Sequence, residues 1–130
     1  MKYSIRATLL LAATVLMLVG AVGYTFVLLP DLRGDLIEIG VRPSVLRGTV
    51  LHLYFAAAAM FAFVAIVATA ALQEMRGGTT APVPIAAIAI VQVAFGVLAF
   101  SRSYNPHHLA PIAMGLLLGV ALIARPSRLP

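Results

Sequence analysis

Three histidines, His52, His107 and His108, are the side chains of this 130-residue chain best suited to hold a ligand or exchange a proton near neutral pH. Two imidazoles on facing helices can ligate a haem iron axially. They can bind a divalent metal, with Asp31, Asp35 or Glu38 as added ligands. Together with a tyrosine and an arginine they can hydrogen-bond a quinone or a lipid headgroup, and Tyr24, Tyr104 and Arg102 are expected in the same depth band as the histidines. The candidate cofactor-binding set is therefore His52, His108, Tyr24, Tyr104 and Arg102, with haem, quinone and metal all open. No residue stands out as catalytic and no set as a resident metal centre, so the balance is against an enzyme. The chain has no HExxH, no CxxCH and too few histidines for a two-haem bundle. With no cysteine it has no disulfide, thiolate metal site or thiol relay. The plainer account is that histidine and tyrosine sit comfortably at a membrane boundary while arginine extends to phosphate.

Four apolar stretches must position these groups: Ala7–Leu29, Val50–Leu72, Ala81–Phe100 and Leu109–Ala124. About twenty apolar residues in a helix cross the hydrocarbon of a bilayer. The chain is 62% hydrophobic and 10% charged, with mean hydropathy +1.06, which leaves too little polar surface for a soluble domain. The expected fold is a single all-α integral membrane domain, four transmembrane helices in an up-down bundle. A net charge of +5 suggests nucleic acid in a soluble protein, but here the basic residues stand singly in short connections, where topology and headgroups explain them. Lys2 and Arg6 before an apolar run resemble the start of a secretory signal, with cleavage after Ala21 as the alternative. The run continues to Leu29, a spanning length, so an uncleaved span is expected.

The connections carry their own punctuation. Span 1 is expected to end at Pro30. Asp31 to Gly40 then reads either as a short interfacial helix, capped by Asp31 and ended by a left-handed Gly40, or as an irregular loop. Ser44 is the expected N-cap of span 2. Glu74 near Arg76 reads either as a loop ion pair or as a charge with no partner. Gly77 and Gly78 form a turn, Pro82 and Pro84 suit the first turn of span 3, and Tyr104-Asn105-Pro106 turns the chain into span 4. Four spans put both termini on one side with Lys2, Arg6, Arg76, Arg125 and Arg128, against Arg33, Arg42, Arg47 and Arg102 on the other. This excess favours cytoplasmic termini in a cell membrane, with His52, His107 and His108 at the outer edge.

Small residues indicate how the spans pack, because lipid tails provide no hydrophobic drive between helices. Gly115 and Gly119 form a GxxxG pair that serves either packing within the chain or a homodimer. Ala89, Gln92, Gly96 and Ala99 share a stripe on span 3, and Ala13, Gly20 and Tyr24 one on span 1. Gln92 lies near mid-membrane, so its amide should face the bundle or a neighbouring chain. His108 shares a stripe with Pro111, Gly115 and Gly119. An inward stripe would aim His108 at His52 and leave His107 to the side.

The leading expectation is a non-catalytic subunit or assembly partner of a membrane complex, with the bilayer, a second copy or another membrane subunit as partner. The alternative is a cofactor-, metal- or quinone-binding bundle that uses the outer-face histidines. A third reading, a small dimeric transporter, rests on a four-span layout similar to small multidrug exporters. That resemblance covers architecture alone. It implies an acidic residue in the first span, and Ala7–Leu29 contains none. Arg42 and Arg47, five residues apart at the start of span 2, could hold a phosphate group where the helix N-terminus favours an anion, and ordinary headgroup binding explains them equally well.

Overall fold

A computed structural model describes residues 4–124. Helices α1 (Ile5–Gly23), α2 (Leu29–Glu38), α3 (Pro43–Met75), α4 (Pro82–Ser103) and α5 (Leu109–Ile123) account for most of them, and no strand occurs among the described residues. Four helical stretches, Ile5–Glu38, Pro43–Met75, Pro82–Ser103 and Pro106–Ile123, are long and apolar enough to cross a membrane. The fold is thus that of an all-α, multi-pass membrane protein.

The helix does not break at Pro30. It runs from Ile5 to Glu38, with one wide π turn at Tyr24–Leu28, where the Leu29 N–H donates to the Tyr24 carbonyl five residues back. Proline has no N–H to give, and its ring crowds the carbonyl of the preceding turn. A turn widened by one residue just before it removes that conflict, as π bulges do elsewhere. Asp31 therefore lies inside the helix rather than capping a new one. The end of α2 is the one expected. Gly40 adopts φ +73°, its N–H donates to the Ile37 carbonyl, and the Val41 N–H donates to the Leu36 carbonyl. This paired pattern closes a helix with a left-handed residue. Gly77, at φ +76°, ends α3 likewise, with Gly78 N–H donating to the Gln73 carbonyl.

The two glycines of α2 should respond oppositely to alanine. Gly40→Ala places a Cβ on a left-handed residue and should cost about 1 kcal/mol. Gly34→Ala, inside the helix with nothing within 4 Å of the new methyl, should gain up to about 1 kcal/mol. Far-UV circular dichroism melts in mild detergent would rank them below and above the parent; the reverse order would be incompatible with this helix end.

Helix α3 begins at Pro43, one residue before the expected Ser44 cap. Proline occupies the first helical position, where its missing N–H costs nothing, and the Leu46 N–H donates to the Arg42 carbonyl. The chain resolves into two compact units: residues 4–16 with 65–124, and residues 17–64. Both α1 and α3 contribute to each. In the first unit, α4 and α5 pack backbone to backbone. Buried Ile85, Ile88, Ala89 and Gly96 meet buried Met114, Gly115, Leu118 and Ala121. A Cβ on Gly96 would lie 2.9 Å from the His108 carbonyl oxygen and 2.6 Å from Ile112 Cγ1. One on Gly115 would lie 2.6 Å from the Ala89 carbonyl oxygen. The GxxxG pair is divided between roles, since nothing lies within 4 Å of a Cβ on Gly119. Threonines along the spans fold back on their own helices; Thr14, Thr25 and Thr69 each donate to the carbonyl four residues earlier.

Candidate functional site

The α4–α5 connection gathers four of the polar groups singled out by the sequence. Arg102 is in the last turn of α4 and exposed. Tyr104 ends the helix in a left-handed conformation at φ 51°, with its ring edge-on to Phe100 at 6.0 Å between centroids. Asn105 then turns the chain: its side-chain Oδ1 accepts from the His107 N–H at 3.0 Å, and its carbonyl accepts from the His108 N–H. Asparagine suits this place because its short amide substitutes for a backbone acceptor. The single 3-10 turn Pro106–His108 leads into α5. His107 is exposed, and His108 is half-buried at the α5 cap.

Tyr24 and His52 belong to the other unit. Tyr24 opens the π turn and is half-buried. His52 is exposed in the third turn of α3, and its Nδ1–H donates to the Gly48 carbonyl at 2.7 Å. That bond requires the proton on Nδ1, so a neutral ring presents the Nε2 lone pair outward, as histidine ligands do when a backbone carbonyl orients them. Asp31, Asp35 and Glu38 are exposed on α2. Among the described residues, no three His, Cys, Asp or Glu side chains gather closely enough to hold a metal ion.

The most developed polar cluster was not anticipated. Ser4 caps α1 by accepting the Ala7 N–H at 3.0 Å, and Arg6 follows in the first turn. Arg6 Nε lies 3.3 Å from Glu74 Oε1, with the two side chains only 12% and 4% exposed. The Nε–H is not aimed along that line and makes no hydrogen bond, so the contact is electrostatic. The same Oε1 accepts the Thr80 hydroxyl at 2.8 Å and, more weakly, the Thr80 N–H at 3.4 Å. Glu74 is therefore a buried hub joining the start of α1, the end of α3 and the turn into α4, not a loop charge paired with Arg76. The available signal was its isolation: the other three acids, Asp31, Asp35 and Glu38, all lie in the first connection. A shallow apolar groove of about 330 Å³ adjoins it, bounded by Ile66, Thr69, Gln73, Thr80 and Pro84.

Neither a family model, nor a curated protein sequence, nor a solved structure matches the chain.

Proposed function

We propose that this chain is a non-catalytic subunit or assembly partner of a membrane complex in the cell membrane, with both termini on the cytoplasmic side. The observation that carries the reading is Gln92. It lies midway along α4, half-buried at the margin between the α5-facing stripe and the exposed Val91 and Phe95. Among the described residues its amide makes no hydrogen bond. Hydrocarbon offers it no partner, and an unpaired amide at that depth costs free energy that a neighbouring helix recovers. The open Gly119 backbone adds a second place for close approach. The excess of basic residues flanking the termini supports the orientation.

Gln92→Leu keeps the apolar packing and deletes the amide. Purified in mild detergent, the parent chain should carry a second copy or another membrane subunit. The variant should lose about 3- to 15-fold in bound fraction, the range for one interhelical hydrogen bond in a membrane. A strictly solitary parent chain would overturn the proposal, and an unchanged bound fraction in the variant would remove Gln92 from it.

A further inference from the structure

In the unit formed by residues 17–64, Arg33 of α2 and Arg47 of α3 line one open groove of about 350 Å³ with Leu46, Val50, Leu51 and Tyr54. We propose that this groove holds an anionic phospholipid, its phosphate between the two guanidinium groups and its acyl chains along the apolar wall.

Placement supports this first. The turn Ile39–Arg42 separates the two helices, with Arg33 six residues before it and Arg47 five residues after it. At 1.5 Å per residue, both guanidinium groups leave the backbone about 8 Å from the turn, at a common level. Measured from the other end, about twenty residues of hydrocarbon crossing carry the continuous helix Ile5–Glu38 from Ala7 to near Val27, and α3 back from Leu72 to near Leu53. Arg33 and Arg47 then stand roughly 9 Å beyond the hydrocarbon, at headgroup depth.

Charge supports it next. No carboxylate lines the groove, and neither arginine has an ion-pair partner among the described residues. The acids of α2 are directed elsewhere: Asp31, Asp35 and Glu38 lie about 140–160° around the helix from Arg33. Arginine's planar fork is well matched to phosphate oxygens. Shape completes the match. Arg47, Val50, Leu51 and Tyr54 share one face of α3 at helical spacing, so the wall turns apolar toward the membrane interior and continues onto exposed Phe55. Arg42, which the sequence paired with Arg47 as a phosphate holder, belongs to the turn before α3 and does not line the groove.

Native mass spectrometry of the full chain in non-ionic detergent provides the test, with phosphatidylglycerol and phosphatidylcholine added at equal concentration. Preferential retention of phosphatidylglycerol by on the order of tenfold is expected, from two arginines at the headgroup. Arg33→Gln/Arg47→Gln should abolish the preference, while Arg42→Gln/Arg102→Gln, with circular dichroism showing both variants folded, should keep it. Equal retention of both lipids, loss in the control variant, or displacement by millimolar inorganic phosphate as effective as by lipid would each overturn the proposal. The last outcome would mark a site for free phosphate.

Discussion

Gly115→Ala should destabilise the chain by about 2 kcal/mol, while Gly119→Ala, four residues along the same helix and with open space around the new methyl, should gain up to about 1 kcal/mol, as Gly34→Ala does. A methyl at position 115 would sit 2.6 Å from the Ala89 carbonyl oxygen and 2.6 Å from Val93 Cγ2, distances no real Cβ tolerates. The first obstacle is backbone, so α4 and α5 must move apart, and overpacking of this kind costs about 1–3 kcal/mol. The effect is large because helices in lipid are held by packing and not by hydrophobic drive: separating them weakens every contact along the interface. Gly96→Ala, 2.9 Å from the His108 carbonyl oxygen, should behave like Gly115→Ala because it closes the same interface from the other helix. Apparent melting temperatures in one detergent would show two depressed variants and one at or above the parent. A Gly119→Ala variant as damaged as Gly115→Ala would mean that the GxxxG pair works as a unit in an interface other than the α4–α5 one.

The second large effect is expected at the buried ion pair. Glu74→Ala leaves the Arg6 guanidinium, 12% exposed, without its counter-charge, and removes the acceptor of the Thr80 hydroxyl. Breaking one side of a buried pair costs about 3–5 kcal/mol in well-shielded sites. The partial exposure of Arg6 lowers the expectation here to about 2–3 kcal/mol. Arg6→Met should cost less, since the carboxylate keeps the hydrogen bond from Thr80. The double variant Arg6→Met/Glu74→Leu should recover much of the loss, because two apolar side chains replace two desolvated charges. A double-mutant cycle on unfolding free energy isolates the coupling. Strictly additive single effects would contradict the contact.

The parts of the fold legible in the sequence were those that depend on local chemistry. The spans followed from the length of each apolar run, because bilayer thickness leaves few alternatives. Gly40 could be assigned its left-handed role because few residues accept that conformation, and the buried Gly115 was flagged by its neighbour Gly119. The continuous helix through Pro30 was not legible: the rule that proline ends a helix ignores the π turn that accommodates it, and Tyr24–Leu28 carries no signature of that turn. Glu74 was misassigned for the opposite reason. Its partners Arg6 and Thr80 are set by the fold, while Arg76 merely stands beside it in the chain. For the histidines, the sequence offered only the phase of one helix, and His107 and His108 occupy the 3-10 turn that precedes it. Phase says nothing of what another element brings to face it.

The membrane-crossing helices are unequal in reach. Ile5–Glu38 and Pro43–Met75, at 34 and 33 residues, are each about 50 Å long, against roughly 30 Å of hydrocarbon. Pro106–Ile123, at 18 residues, is about 27 Å. Sliding a long rod along the membrane normal only exchanges one stretch of overhang for another, whereas sliding the short one drags His107 or a capping carbonyl into oil. The vertical register of the unit that contains α5 is therefore set by this short crossing. Around α5 the bilayer, not the helix, has to adjust, by thinning to meet it.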